Sequence, residues 1–243
     1  MNGGASRVQE RHFVPSTLDT RHLMIVLIET GGVAATNCIL VADETAAQAV
    51  LFDAPDHTTG PLLAEAAQRG WDIAGLWLTH GHFDHFADHA VVRQRFPQAK
   101  VLIHEQDAFK VEHPDLQTRL FDLPFTIPPC RPDLRLTDGQ RLQAGSLEVI
   151  VIHTPGHSSG HVVYYFPKEN LLIGGDLIIG GSIGRTDLPD SDPVEMGASL
   201  RKVMALPDQT RLLGGHGPPT TLGEERRGNP FVRQALEAGA RGS

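Results

Sequence analysis

Cysteine is almost absent from this chain. Cys38 and Cys130 are the only two in 243 residues. They are too far apart for a paired metal or redox motif and too few for a disulfide framework. A reducing cytoplasm suits such a chain. Cys38 sits in an apolar strand pattern and reads as core; Cys130 lies among prolines and reads as an exposed loop residue. An excess of positive charge is also missing. With 21 Lys+Arg against 29 Asp+Glu the formal net charge is -8, which argues against a nucleic-acid partner, whose phosphates select a basic face. No apolar run approaches the length of a membrane helix, and no membrane partner is expected. The first residues lack the basic-then-apolar layout of a secretory signal. Residues 1–20 read instead as a flexible lead-in to a single domain at 21–243.

What is present is a repeated alternation of short apolar runs and helical patterns. Strands are expected at 23–28, 38–41, 49–52, 73–78, 101–103, 147–152, 162–166, 171–173 and 211–213. Helices are expected at 61–69, with Pro61 in its first turn and Gly70 as its stop, and at 87–96, 105–111, 193–206 and 229–238. Residues 114–132 are rich in proline and read as a long irregular surface loop. The order of elements suggests two similar halves, each a mixed sheet with helices on its outer face. Stacked face to face they make an α/β fold of four layers, an αββα sandwich. The nearly continuous apolar strands agree, since strands covered on both faces lose their alternation.

The densest chemical signal is Thr79-His80-Gly81-His82-Phe83-Asp84-His85, directly after the run Leu76-Trp77-Leu78. A strand ending in this loop presents imidazoles and a carboxylate at one point. These are donors that suit Zn, Fe or Mn. Three more expected strands run into loops with candidate ligands: His153-Thr154-Pro155-Gly156-His157, Gly174-Gly175-Asp176 and Gly214-Gly215-His216-Gly217. Flanking glycines let the backbone crowd close to an ion. Five imidazoles and two carboxylates exceed what one tetrahedral ion needs and are about right for two.

These motifs, in this order, resemble the metallo-β-lactamase superfamily, whose pattern is T-H-x-H-x-D-H followed by a His, an Asp and a last His. The resemblance implies that one ion takes His80, His82 and His157, and the second Asp84, His85 and His216, with Asp176 bridging. It also implies that Asp53, at the end of an early strand, supports a ligand from behind. Gly181-Ser182-Ile183-Gly184-Arg185-Thr186-Asp187-Leu188-Pro189, Gly215-His216-Gly217-Pro218-Pro219-Thr220 and Glu224-Glu225-Arg226-Arg227-Gly228-Asn229-Pro230-Phe231 further resemble hydroxyacylglutathione hydrolase (glyoxalase II) and its short relatives. Full-length members carry a C-terminal helical domain that contacts glutathione. Here only 217–243 follows the last ligand, so recognition of glutathione stays open.

The implied activity is hydrolysis of a thioester or small ester, a small-molecule substrate, by a hydroxide bridging two divalent ions, with zinc the first expectation. Asp84 is the expected catalytic residue, ligating and also orienting the hydroxide. The rival on the same scaffold is a persulfide dioxygenase with one iron on His80, His157 and Asp176; lactonase and β-lactamase chemistry are further alternatives. Arg185 and Asp187 are expected as a buried pair holding the Asp176 loop, and His161 as a support behind the ligands. The charge run at 224–227 reads as a solvated helix start. Phe121, Leu123, Phe125 and Ile127 alternate within the proline-rich segment, as a wall of the metal cleft or as a contact in a homo-oligomer.

Overall fold

The computed structural model describes residues 9–13 and 23–241. Two sheets face each other. The first has strands β1 (Gln9–Phe13), β2 (Met24–Gly31), β3 (Thr36–Asp43), β4 (Gln48–Phe52), β5 (Asp72–Trp77), β6 (Lys100–His104) and β7 (Leu134–Leu136), in sequence order. The second runs β13 (Thr220–Thr221), β12 (Arg211–Gly214), β11 (Leu171–Gly175), β10 (Val162–Phe166), β9 (Leu147–His153) and β8 (Arg141–Ala144). Strands β4 to β7 pair in parallel, as do β11 and β12. β1 pairs with β2 inside the segment expected as a lead-in; the remainder of that expectation, at 1–8 and 14–20, lies outside the described residues.

Helices α1 (Gly60–Arg69), α2 (Phe83–Phe86), α3 (His89–Arg95), α4 (Ala108–Glu112) and α5 (Asp115–Leu120) belong to the first half. Helices α6 (Pro193–Val203), α7 (Leu222–Gly228) and α8 (Pro230–Arg241) belong to the second. No described helix is long and apolar enough to cross a membrane.

Three apolar layers make this the expected αββα sandwich. Between the sheets lie Val26, Ile39, Val50, Phe52, Trp77 and Tyr164 among others. Leu40, Leu51, Leu62 and Leu63 pack between the first sheet and its helices. Tyr165, Leu172, Leu200 and Val232 pack between the second sheet and α6 to α8. β4 shows why the alternation was hidden in the sequence. Ala49 and Leu51 point to one apolar layer, Val50 and Phe52 to another, and all four are fully buried. Tyr164 and Tyr165 separate the same way. Phe52 stacks edge-on with Trp77 at 5.5 Å and with Tyr164 at 5.1 Å. The Tyr164 hydroxyl donates to the Leu78 carbonyl at 2.7 Å, tying the second sheet to the strand that delivers the histidine motif. Burial of each such large side chain stabilises the fold by roughly 1.5–3 kcal/mol.

The proline-rich segment differs from its expectation. It contains α5, and Cys130, expected at the surface, is buried. Ile127 is also buried, with Leu123 and Phe125 packed against the first-sheet core. Alternating apolar residues held against a core explain this better than a solvated loop. Strands β7 and β8 were not foreseen either; each is short and half polar, so neither carries a strong period.

Candidate metal centre

The sandwich brings five chain segments to one edge. Asp53 follows β4, β5 runs into the loop of His80 and His82 and then α2 with Asp84 and His85, and the β9–β10 connection carries His157. Asp176 follows β11 and His216 follows β12. An isolated bridge between Thr36 and His216 and a bond from Asn37 N–H to the Gly215 carbonyl at 2.7 Å close the two sheets over this edge.

All seven residues expected as ligands converge. Candidate ligand atoms of His80, His82 and His157 lie within 4.8 Å of one another, as do those of Asp84, His85 and His216, and those of His80, His85 and Asp176. Asp176 reaches both sides. Its Oδ1 is 3.5 Å from His85 Nε2, and its Oδ2 is 3.4 Å from His157 Nε2 and 3.3 Å from His216 Nε2.

The donor set fits two cations on an observation internal to the fold. His80 Nε2, His85 Nε2 and Asp176 Oδ1 are buried and have no hydrogen-bond partner. Such atoms cost about 1–3 kcal/mol each unless something else satisfies them. All three point at the foci that imidazole and carboxylate donors would share with a metal. Gly215 keeps this space clear: a Cβ there would fall 2.2 Å from Asp176 Oδ1 and 2.8 Å from His85 Cε1.

The electrostatics agree. Burial alone would lower the His85 pKa, but the Asp84, Asp53 and Asp176 carboxylates outweigh it and raise it to about 10. Burial would likewise raise the Asp176 carboxyl, yet His85, His157 and His216 pull it far below the usual carboxylate range. His80 and His82 are held neutral, chiefly by burial and then by neighbouring imidazoles. A ligand imidazole must be neutral to bind a metal.

Supporting residues fix these candidate donors from behind. Asp53 takes a left-handed backbone with φ 58°, uncommon outside glycine. Its carboxylate accepts from Thr79 N–H at 2.8 Å, Thr79 Oγ1 at 2.9 Å and His85 Nδ1 at 2.8 Å, which leaves His85 Nε2 for the centre. His161 Nε2 accepts from Asp176 N–H at 3.0 Å, and its Nδ1 meets Thr154 Oγ1 at 2.9 Å, so it stands behind the Asp176 loop. Thr36 Oγ1 donates to Asp84 Oδ2 at 2.8 Å.

Thr36 was not foreseen from the sequence, and neither was Asp107. Asp107, fully buried, accepts from Gly81 N–H at 2.7 Å, Ser158 Oγ at 2.8 Å and Gly160 N–H at 2.8 Å, and pairs with Lys110 Nζ at 3.0 Å. It therefore ties the His80–His82 loop to the His157 loop, and Lys110 extends the tie to Asp190. Its only sequence signal is an acid three residues before a base in an expected helix, a pattern that solvated helices also show.

Two expectations need correction. Arg185 and Asp187 do pair, at 2.6 and 2.8 Å, but their side chains are 59% and 68% exposed and do not hold the Asp176 loop. The backbone does that. Gly184 N–H donates to the Asp176 carbonyl at 2.9 Å, and the Arg185 carbonyl accepts from His157 Nδ1 at 2.8 Å. Gly184 lies so close to Asp176 and the His157 ring that the chain presses its backbone inward and turns the side chains out. Accordingly, Arg185→Ala should leave metal content and thermal midpoint unchanged by elemental analysis and melting; loss of metal would restore the buried-pair reading. The charge run at 224–227 is not wholly solvated: Glu225 is buried and accepts from Gly181 N–H and Asn229 Nδ2.

The centre opens into a cleft of about 380 Å³ walled by Phe83, Phe121, Ile179, Ile183 and Leu188. Of the four alternating apolar residues in the proline-rich segment, Phe121 lines it, while Leu123, Phe125 and Ile127 belong to the core.

Comparison with known proteins places this arrangement. The family model described as metallo-beta-lactamase superfamily matches residues 31–216. The chain is 31% identical over 198 residues to hydroxyacylglutathione hydrolase GloC of Haemophilus influenzae, covering 81% of this chain and 92% of that protein. It is similar to the crystal structure of BLEG-1 B3 metallo-beta-lactamase, with TM-score 0.77, 32% identity, and coverage of 92% and 99% of the two chains. The crystal structure of TTHA1623 in a di-iron-bound form aligns with TM-score 0.68 and 37% identity, covering 90% of this chain and 99% of the other.

Proposed function

Because this chain belongs to the metallo-β-lactamase superfamily, we propose that it is a metal-dependent hydrolase of a thioester or small ester working with two divalent ions. The observation that carries this reading is the convergence of His80, His82, Asp84, His85, His157, Asp176 and His216, with three buried donor atoms left unpartnered by the protein. One ion would be held by His80, His82 and His157, the other by Asp84, His85 and His216, with Asp176 shared. Zinc is the first candidate; the same donors accept iron or manganese, and TTHA1623 has a di-iron-bound form.

Two cations held here supply, when bound, Lewis acidity and a water acidified toward neutrality. The chain's own residues do the rest. Asp84, aimed by Thr36, orients the attacking water and takes up its proton. Phe83, Ile179 and Ile183 line the cleft with apolar surface, which excludes bulk water and strengthens the local field. A thiolate leaves without a proton donor, so a thioester asks nothing further of the site, whereas an amide nitrogen needs an acid that these motifs do not offer.

The similarity to hydroxyacylglutathione hydrolase makes S-lactoylglutathione the first substrate to test. Elemental analysis of protein purified without added metal should give two ions per chain, and chelation should abolish thioester hydrolysis. One ion per chain, with oxygen consumed on glutathione persulfide and no thioester turned over, would replace this reading with the mononuclear dioxygenase one. That alternative would use His80, His157 and Asp176 and would leave the clustering of Asp84, His85 and His216 without a purpose.

A further inference from the structure

Helix α5 is built the wrong way round for a helix facing water. Its polar Gln117 is buried: Nε2 donates to the Gly81 carbonyl at 2.8 Å, and Oε1 accepts from Phe83 N–H at 2.9 Å. Leu116 and Leu120, one turn apart on a single face, are 51% and 61% exposed. Phe109 of α4, 49% exposed, stands beside them. Thus three of the nine large apolar side chains exposed among the described residues gather in this short stretch.

They are not scattered over the surface. With Phe121 and Leu188 they line a hollow of about 250 Å³ that also reaches His82. His82, Phe121 and Leu188 line the metal cleft as well, so the hollow is continuous with it. The two charged side chains that line the hollow besides His82, Lys110 and Asp190, are paired with each other, and Lys110 is paired with Asp107 as well. The cation lining the cleft itself, Arg185, belongs to the cleft and not to the hollow. Gln117 bonds to the backbone on both sides of His82, which fixes the hollow against the centre.

We propose that this hollow is an acyl-chain subsite, and that the preferred substrates are thioesters of a medium-length saturated acyl chain. This rests on the hydrolase reading above. The scissile carbonyl lies at the metal centre, the acyl chain runs over Phe121 onto Leu116 and Leu120, and the more polar thiol side faces Arg185. Each methylene moved from water onto such a surface strengthens binding roughly fourfold, until the hollow is full.

The test uses saturated carboxylates of increasing length, the products of such thioesters, titrated calorimetrically into the metal-loaded protein. The carboxylate anchor is common to all, so the change per methylene isolates the hollow. Affinity should rise about threefold to fourfold per methylene between butyrate and octanoate. Leu116→Asn with Leu120→Asn should flatten that slope and leave butyrate binding and metal content unchanged; both side chains are exposed, so folding is not at stake. A flat slope in the wild type, or an equal slope in the variant, overturns the proposal. So does a variant that changes only oligomeric state by sedimentation, which would make the face a contact between copies. A slope that behaves as expected in a protein that hydrolyses no thioester would instead overturn the hydrolase reading and leave the subsite standing.

Discussion

Replacing Asp176 by Ala should weaken both halves of the centre at once and lower turnover by about a thousandfold or more, the scale seen when a group organising the transition state is removed. The reason is geometric. One carboxylate lies within 3.5 Å of His157 in one candidate ligand group and of His85 and His216 in the other. Among the described residues, Asp176 is the carboxylate that meets both candidate ligand groups in this way. Asp176 also adds to the negative charge that Asp84 and Asp53 place beside His85, and it is the carboxylate hydrogen-bonded to His216, so its loss thins the counter-charge at both imidazoles. Metal titration of Asp176→Ala followed by elemental analysis measures this directly. If one ion still binds with wild-type affinity, Asp176 does not bridge.

Asp107→Ala should be the most damaging substitution outside the ligand set, with a loss of about 3–5 kcal/mol, the scale of breaking a buried ion pair by removing one partner. For a chain of this size that lowers the thermal midpoint by roughly 10 °C. Three groups lose their acceptor together: Gly81 N–H, Gly160 N–H and Ser158 Oγ. Both ligand loops loosen in consequence, and metal affinity should fall about 10–100-fold.

The pH dependence has a definite sign. Burial would raise the Asp107 carboxyl, but Lys110 and then the Gly81 N–H pull it down to about 2, from 3.8 when unfolded. A group depressed in the folded state stabilises the protein above its unfolded pKa and loses that contribution as pH falls through its folded one. Urea denaturation of metal-free protein should therefore show the full wild-type advantage over Asp107→Ala above pH ~4, shrinking toward pH ~2. An advantage that stays constant across this range would mean that Asp107 acts through packing and not through its charge.

Residues near a ligand differ in how far sequence could place them. His80, His82, Asp84 and His85 are legible because they fall within one turn of chain after a buried strand. Local spacing alone puts their side chains together. Asp107 has no such neighbours in sequence; its partners Gly81, Ser158 and Gly160 come from two distant loops. Arg185 and Asp187 mislead for the opposite reason. They are two residues apart, oppositely charged and near a candidate ligand, and yet the crowding of Gly184 on Asp176 decides which way they point.

The apolar face of α5 was equally hidden. Six residues of mixed polarity between prolines carry no helical period, and nothing local says that Gln117 rather than Leu116 or Leu120 turns inward.

Sequence by itself determined the layered α/β class, the order of strands that end in candidate-ligand loops, and the dense first cluster of His80, His82, Asp84 and His85. Each depends on local period or on residues a few positions apart, whereas the grouping of these four with His157, Asp176 and His216 came from the family resemblance. The tertiary structure alone decided that Asp176 reaches both ligand groups, that Asp107 and Gln117 lock the loops, and that an apolar hollow adjoins His82. Those facts depend on how the sheets stack and which backbone amides go unpaired when they do. Contacts between residues far apart in the chain are selected by the packing of the whole fold, and no short segment encodes them.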